Sequence, residues 1–451
     1  MLGHNHTTLE KQTMNAITEI PADDDLKSAW TTMPPAPESI RDLGIADSLV
    51  NDLAMKLAST VPQFDTKWGA ERLHLPVQLA EKVFWKLKQD HLLEVLSQEG
   101  PFCYRYSCTD RGRQLAASSF EVSGYVGPVP VSLPAYIAAL KRQQQHRAKV
   151  TLEKVRSCIS PLVLPEHSVQ ISALAALSGR SLFLFGPAGN GKTTLGKLLH
   201  QASAGNLWIP HAIAIDNSII RIYDHEVHEV ENISNTSANE NKSVPNHDRR
   251  WVSVKRPFIV AGGEMTIEEL DLAYSPSLRF YESPPHLKAN GGTFLIDDFG
   301  RQRVSPSDLL NRWIVPLENH IDHLTLQTGQ KIQVPFDVML IVATNLTVSE
   351  VADPAFLRRM GYRLHMERPT KERYAEIFLR YAESVGADVP EGTVQLVIDR
   401  YEKEERELRG AEPRDLIERA RDICKLHTKP LQLSPDVIDL AWEGYFGNTP
   451  N

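Results

Sequence analysis

Residues 181–194 read Ser181-Leu182-Phe183-Leu184-Phe185-Gly186-Pro187-Ala188-Gly189-Asn190-Gly191-Lys192-Thr193-Thr194. The first five residues form a continuous apolar run, which is typical of a strand buried on both faces of a parallel sheet. The glycine-rich segment follows this run directly and leads into a helical pattern, Leu195 to Leu199. Strand, glycine loop and helix in this order predict a phosphate-binding P-loop. The sequence therefore predicts an α/β fold that binds a nucleotide.

Each residue type in the loop has a role in holding phosphates. Glycines let backbone N–H groups point at phosphate oxygens, and the positive end of the helix dipole favours negative charge. We expect Lys192 to reach the β- and γ-phosphates and Thr193 to bind Mg²⁺. The predicted ATP-contacting residues are Gly186, Pro187, Ala188, Gly189, Asn190, Gly191, Lys192, Thr193 and Thr194.

A second buried strand ends in two acids. Thr293-Phe294-Leu295-Ile296 is followed by Asp297 and Asp298, a Walker B pattern in which Asp297 holds the Mg²⁺ and Asp298 polarises the attacking water. Asp298 is one methylene shorter than the glutamate more often found there, so hydrolysis is expected at a rate that the sequence leaves open. The alternative is that the two acids only cap the following turn.

A third buried strand ends in Asn345, and Asp353-Pro354-Ala355-Phe356-Leu357-Arg358-Arg359 follows. This order of motifs resembles the AAA+ ATPases over roughly residues 160–445. The resemblance implies that Asn345 is the sensor 1 residue, which orients the lytic water. It also implies that Arg358 or Arg359 is an arginine finger reaching a neighbour's γ-phosphate; we favour Arg359, with Arg363 as a second cation. A homo-oligomeric ring, expected to be hexameric, with ATP and Mg²⁺ as cofactors follows from the resemblance.

Four helices are predicted after Pro369, and they resemble the AAA+ lid. Ala411-Glu412-Pro413-Arg414 places a proline at a helix start with Arg414 in the first turn. The resemblance implies that Arg414 is the sensor 2 arginine, which contacts the nucleotide phosphates from the lid. The family often has glycine where Glu412-Pro413 stand, so this chain departs from the pattern there.

Three helices and a β-hairpin are predicted between residues 39 and 107, and this order resembles winged-helix domains of bacterial regulators. Residues 38–120 contain ten Lys/Arg and eleven Asp/Glu, and a near-neutral module lacks the usual electrostatic footprint for phosphates. We therefore favour docking of a protein, and keep DNA binding through Lys82, Lys86 and Lys88 as the alternative.

The predicted organisation is a mobile tail at 1–37, a winged-helix domain at 38–122, a linker and basic helix at 123–158, an AAA+ core at 159–370 and a helical lid at 371–451. The basic helix spans Tyr136 to Val155 and is interpreted as solvated, with a nucleic-acid or acidic-partner contact as the alternative. A polar loop is expected from Glu226 to Asp248. Phe280 and Tyr281 are candidates for substrate contact or for packing.

Composition limits the compartment and the class of partner. The 49 Lys+Arg and 57 Asp+Glu give a net charge of −8, too acidic for a surface that coats nucleic acid or anionic membrane. Four cysteines without metal spacing favour a reducing cytoplasm, and no apolar run reaches the length of a membrane helix. We expect a cytoplasmic protein with no membrane partner.

Residues 288–293 are similar to the σ54-activator and MoxR-like branches, and residues 298–318 resemble uncharacterised bacterial MoxR-like ATPases with an N-terminal winged helix. The activator branch's Gly-Ala-Phe-Thr-Gly-Ala loop does not occur in the sequence. The leading hypothesis is an ATP-driven ring that remodels a protein or complex recruited through the N-terminal domain. The alternative is a nucleotide-gated DNA-binding regulator.

Overall fold

A computed structural model describes residues 34–145, 150–203, 205–231, 247–347 and 354–447. Most of the predicted tail and most of the polar loop at 226–248 lie outside these ranges. The last residues predicted to be tail pack against the rest of the chain: Pro34 and Pro37 are buried, and the Asp248 N–H donates to the Pro34 carbonyl at 2.8 Å. The prediction of a mobile tail is therefore wrong for residues 34–37.

The N-terminal module is an α+β unit. In chain order it contains α1 (Asp47–Ser59), β1 (Phe64–Asp65), α2 (Thr66–Leu73), α3 (Val77–Gln89), β2 (Leu93–Gly100), β3 (Cys103–Cys108) and α4 (Asp110–Val122). The strands form an antiparallel sheet in the order β1-β3-β2. Side-chain caps fix two helix starts, because Asp65 accepts from the Trp68 N–H and Thr109 from the Gly112 N–H. The helices and the hairpin agree with the predicted elements.

The predicted helix from Tyr136 to Val155 is wrong as a single element. The chain instead forms β4 (Val131–Ser132), α5 (Leu133–Gln145) and α6 (Leu152–Ile159), with 146–149 outside the described residues. Thr151 begins α6 by accepting the Lys154 N–H on its hydroxyl. Tyr136 and Leu140 are buried, so one face of α5 packs on the core and is not solvated. This narrow apolar stripe is hard to recognise in the sequence because most of the neighbouring residues are Gln or basic.

The central region contains the largest set of elements. They are α7 (Glu166–Ser178), β5 (Leu182–Phe185), α8 (Lys192–Ala202), β6 (Asn206–Pro210), β7 (Ala212–Ile215), β8 (Ser218–Arg221), β9 (Trp251–Lys255), β10 (Phe258–Ala261), β11 (Ala273–Ser275), β12 (Phe280–Glu282), α9 (Pro285–Lys288), β13 (Thr293–Ile296), α10 (Pro306–Asn319), β14 (Ile321–Thr325), β15 (Lys331–Pro335), β16 (Met339–Thr344), α11 (Pro354–Arg359) and β17 (Tyr362–His365). A single-turn 3₁₀ helix, Glu268–Leu270, also lies in this region.

Five of these strands form a parallel sheet in the order β10-β13-β16-β5-β17. The strand β5 lies between β16 and β17, the last two strands of the sheet along the chain. The segments that follow β5, β13 and β16 therefore all leave from the same carboxyl edge. In open α/β sheets ligands bind outside this edge. The predicted α/β class with a parallel-sheet core is confirmed.

A second five-stranded sheet, β11-β12-β8-β7-β4, is inserted between α8 and β13 and receives one strand from the predicted linker. It shares a hydrophobic core with the N-terminal module through residues such as Ala212, Tyr125 and Phe280. Phe280 packs edge-on to Tyr125 at 5.5 Å, and the Tyr281 hydroxyl accepts the Gln327 N–H at 3.0 Å. Both aromatic residues are buried. Packing, not substrate contact, is the role that the structure gives them.

A buried arginine of the insertion contacts the N-terminal module. Arg250 binds both carboxylate oxygens of Asp248, and its Nη1 donates to the carbonyls of Leu43 and Pro130, each at 3.3 Å. Both charged side chains are 5% exposed. Asp248 compensates the buried charge of Arg250 within the insertion, and the two bonds from Nη1 join this arginine to the N-terminal module and to the linker.

Histidines at the same junction predict acid sensitivity. His211 lies 4.6 Å from His74, and burial together with this neighbour lowers the pKa of His211 from 6.5 to about 4. His211 is therefore protonated at a higher pH in the unfolded chain than in the folded protein. The stability of the fold decreases as the pH drops from 6.5 towards 4. We expect His211→Phe to raise the melting temperature relative to the wild type increasingly over this range. A melting-temperature difference that does not change with pH would refute this expectation.

The C-terminal region contains α12 (Lys371–Ser384), α13 (Thr393–Lys403), α14 (Glu412–Leu426) and α15 (Pro435–Phe446). Their shared core is aromatic: Tyr401 lies 5.4 Å from Tyr374 and 4.8 Å from Trp442. The predicted helical C-terminal region is confirmed. Among the described residues, no helix is both long enough and apolar enough to cross a membrane.

Candidate nucleotide site

The loop between β5 and α8 depends on glycine backbone geometry. Gly186, Gly189 and Gly191 have φ values of 130°, 79° and 82°. A Cβ on Gly186 would also lie 2.5 Å from the Met366 carbonyl oxygen. Residues with side chains rarely adopt these conformations, and the close approach of the chain after β17 leaves no room for one at Gly186. The predicted P-loop is therefore a tight backbone cradle at the start of α8.

Lys192 lies inside this cradle. Its side chain is buried, and Nζ donates to the carbonyls of Gly186 and Pro187, each at 2.8 Å. Burial lowers the pKa of Lys192, while Asp297 and Asp298 oppose that shift. A phosphate oxygen is a charged acceptor and binds an ammonium more strongly than a neutral carbonyl does. The loop thus presents a preplaced cation to an anionic ligand.

The structure brings Thr193 and Asp297 together. The Thr193 hydroxyl donates to the Asp297 carboxylate, at 3.0 Å to Oδ1 and 2.8 Å to Oδ2. A hydroxyl and a carboxylate are the hard oxygen donors that Mg²⁺ prefers, and Mg²⁺ is commonly held by one or two carboxylates together with substrate phosphates. The described residues contain no group of three or more His, Cys, Asp or Glu side chains suited to a metal. This donor set fits a Mg²⁺ that arrives with a nucleotide.

Asp298 and Asn345 also meet, although they follow different strands. Asn345 Nδ2 donates to Asp298 Oδ1 at 3.0 Å. Asp298 has a φ of 48°, a left-handed conformation that is uncommon for a residue with a side chain. Strained backbone is typical of functional sites. The two residues predicted to handle the attacking water form one hydrogen-bonded pair beside Asp297.

The predicted arginine fingers lie far from the P-loop of their own chain. Arg358 is exposed, while Arg359 Nε donates to Glu318 at 2.6 Å. Both line a groove of about 310 Å³ together with Ser181 and Val338, which precede β5 and β16. This is the amino edge of the sheet, separated from the P-loop by the length of β5, roughly 13 Å at 3.3 Å per residue. The two arginines therefore cannot serve the site formed by their own chain.

The structure does not bring Arg414 to the phosphate cradle. Its guanidinium binds Asp415 at 3.0 and 2.9 Å and its side chain is 60% exposed. The preceding loop contacts the cradle instead: the Ala411 N–H donates to the Gly189 carbonyl at 2.8 Å, and the Gly410 N–H to Asn190 Oδ1 at 3.1 Å. Sequence reasoning missed these two backbone contacts. Gly410, just before the predicted helix start, is the residue in the sequence that could have indicated these contacts.

A cavity of about 50 Å³ adjoins the cradle. Its walls come from the segment before α7, the end of β17 and the C-terminal helices, including Leu164, Met366 and Ile377. Asn190 also lines it, and the Asn190 Nδ2 atom is buried with no hydrogen-bond partner among the described residues. A buried donor without a partner is costly, so its placement suits a polar ligand.

Comparisons with known proteins give partial matches. Residues 370–444 match a domain of unknown function, DUF8689, and no curated protein matches the chain. The RuvB Holliday junction branch migration motor of Thermotoga maritima is 14% identical with a TM-score of 0.36, covering 66% of this chain and 72% of that chain. NtrX from Brucella abortus in complex with ATP is 14% identical with a TM-score of 0.36, covering 74% and 67%. Because these identities and TM-scores are low, we assign the fold from the strand order and the P-loop of this chain.

Proposed function

We propose that this chain binds and hydrolyses ATP with Mg²⁺, as an AAA+ ATPase of the MoxR-like type. The observation that carries the proposal is the continuous contact from Thr193 through Asp297 and Asp298 to Asn345, beside the buried Lys192. Three separate segments of the chain supply these groups, and all of them meet at the carboxyl edge of the sheet. A strand-end acid pair that only capped a turn would not need Asn345 or the Thr193 hydroxyl.

Each residue of the site would have a separate role in the reaction. When bound, Mg²⁺ would neutralise charge on the phosphates, held by Thr193 and Asp297. Asn345 and Asp298 would orient a water so that its oxygen forms a bond to the γ-phosphorus. The bond from the γ-phosphorus to the bridging oxygen breaks, the water proton passes through Asp298 to phosphate or solvent, and ADP and phosphate are released. Lys192 would stabilise the charge on the phosphate oxygens.

The cavity beside Asn190 supports placing one edge of the base there. Leu164, Met366 and Ile377 give it apolar walls, and the unpaired Asn190 Nδ2 is a donor for a base nitrogen or carbonyl oxygen. The cavity lies between the sheet and the C-terminal helices, so a bound base would touch both. This arrangement supports coupling between nucleotide occupancy and the position of the helices.

A second subunit is part of the proposal, since Arg358 and Arg359 lie on the edge opposite their own P-loop. We propose that they reach the γ-phosphate bound by a neighbour in a closed homo-oligomeric ring, expected to be a hexamer. A heterologous contact of this kind, repeated, forms a ring when its rotation closes. Hydrolysis would then depend on assembly, because the charge that develops on the phosphate needs the neighbour's cation.

A mixing experiment tests this sharing of the site. The double variant Arg358→Ala/Arg359→Ala and the single variant Asp298→Asn should each be inactive alone. Mixed in equal amounts they should regain a fraction of wild-type phosphate release, because some sites combine an intact Asp298 with a neighbour's arginines. Arg111→Ala, an exposed arginine on α4, serves as the control and should retain full activity. Arginine variants that are fully active alone would contradict the role in trans.

We further propose that the ring remodels a protein or protein complex in the cytoplasm. The near-neutral N-terminal module and the net charge of −8 support a protein client over nucleic acid. Size-exclusion chromatography with and without ATP tests assembly, alongside phosphate release. A protein that stays monomeric and releases no phosphate at any concentration would overturn the proposal.

One observation keeps a second function open. On α3, the helix that would contact DNA in a winged helix, Trp85 is 36% exposed, and Lys88 Nζ lies 4.7 Å over its ring. Lys82 is exposed on the same helix. This basic and aromatic face would suit a nucleotide-gated DNA-binding regulator. Duplex DNA that is not retarded at low salt would remove this candidate, whereas binding that weakens steeply with salt would favour it.

A further inference from the structure

Gln302 is a buried amide on the turn that carries Asp298. Its side chain is 8% exposed. Oε1 accepts the Gly300 N–H at 2.7 Å. Nε2 lies 3.1 Å from the Asp297 carbonyl oxygen and 3.4 Å from that of Asp298. One side chain therefore binds the backbone on both sides of Asp298.

The turn needs such support because its backbone is unusual. Asp298 has a φ of 48° and Gly300 a φ of 97°. The Phe299 N–H donates to the Ala343 carbonyl at 2.8 Å, which ties the turn to β16. Residues held in sparsely populated conformations persist only where the surrounding structure fixes them. Gln302 and β16 together supply that constraint.

The constraint determines where a short carboxylate points. Aspartate carries its carboxylate on one methylene, so its reach depends on the backbone more than that of glutamate would. With the backbone held, the Asp298 carboxylate meets Asn345 Nδ2 at 3.0 Å. We propose that Gln302 is a positioning residue for ATP hydrolysis, which holds Asp298 in its left-handed conformation so that the carboxylate aligns with Asn345 and the attacking water. This inference rests on the proposed ATPase function.

The first test separates turnover from binding. Gln302→Met keeps the length of the side chain and removes its polar atoms. We expect kcat for phosphate release to fall about 10- to 100-fold, the size of effect that misplacing a catalytic group by about 1 Å produces. The KM for ATP and the dissociation constant of an ATP analogue should change less than about 3-fold, since the P-loop is untouched. Gln333→Met, an exposed glutamine on β15, is the matched control and should behave as wild type.

The second test asks whether Gln302 acts through Asp298. In single-turnover assays, adding Gln302→Met to Asp298→Asn should lower the rate by less than about 2-fold, because the group that Gln302 positions is already gone. General damage to the site would instead multiply the two losses. If Gln302→Met does not fold, Gln302→Asn keeps the amide one methylene shorter and should show an intermediate loss in kcat.

The outcomes distinguish the positioning role from the ATPase function on which it rests. A loss in kcat with unchanged binding, absent in the Asp298→Asn background, supports the positioning role. A folded Gln302→Met protein with wild-type kcat, or a loss that multiplies with Asp298→Asn, overturns this inference and leaves the ATPase function standing. A wild-type protein that releases no phosphate at any concentration overturns the proposed function and this inference together.

Discussion

Replacing Lys192 by alanine should weaken ATP binding by about 30-fold or more and reduce phosphate release below detection. The Lys192 ammonium is buried in the cradle between the carbonyls of Gly186 and Pro187. Truncating one partner of a buried, hydrogen-bonded charge pair costs about 2–5 kcal/mol, and every 1.4 kcal/mol is about tenfold in affinity. Titration with a fluorescent ATP analogue and a phosphate-release assay measure the two effects.

Lys197→Ala provides the matched control, since it removes an exposed lysine from the same helix, α8. Its affinity for the analogue and its turnover should equal those of the wild type. Both variants should also unfold at temperatures close to that of the wild type, which excludes general loss of structure. If Lys192→Ala binds the analogue as tightly as Lys197→Ala does, the glycine-rich loop is not the phosphate site.

The parallel sheet and the site on its edge were predictable because their physical signals are local. Strands buried on both faces are apolar almost throughout, and the runs at 182–185, 294–296 and 338–343 meet that requirement. The polar residues that follow such strands gather at one edge once the strands are parallel. This is why residue type and position in the sequence predict a site at Thr193, Asp297, Asp298 and Asn345, which the structure brings into contact.

Other features depend on contacts between distant segments, which leave little trace in a sequence. The strands β7 and β8 contain four residues each, and they pair across a turn at Asp216 with a φ of 51°. Neither strand is long enough to show a clear alternation. The cap at Thr151, which begins α6, is a single hydroxyl within a stretch that reads as continuous helix. The single-helix prediction failed at this point.

The candidate site also combines residues with a local sequence signal and residues whose contacts depend on distant segments. The Gly410 and Ala411 contacts with the P-loop arise only when the C-terminal helices pack against the sheet. Gln302 is an amide four residues beyond Asp298 with no pattern to mark it, and the left-handed backbone that it binds is not visible in residue types. The residues proposed to carry the chemistry could be predicted from their type and position, whereas those that hold them in place could not.

Asp298→Asn should leave ATP bound and stop its hydrolysis. Asparagine keeps the shape of the side chain and a hydrogen bond to Asn345, but the neutral amide cannot accept the proton of the attacking water. Loss of a general base typically costs about 10²- to 10⁴-fold in rate, so kcat should fall by that amount. Affinity for ATP should change less than about 3-fold because Lys192 and Thr193 are retained. Single-turnover phosphate release and equilibrium titration measure the two quantities.

The same variant distinguishes an assembly driven by ATP binding from one driven by hydrolysis. If binding closes the ring, Asp298→Asn should form an ATP-dependent larger species on size exclusion that persists, since its ATP is not consumed. In the wild type that species should decline as ATP is hydrolysed. Asp110→Asn, which removes a carboxylate that is 92% exposed on α4, should behave as wild type in every assay. Wild-type turnover by Asp298→Asn would show that another group takes the proton, and the pairing with Asn345 would then have no catalytic role.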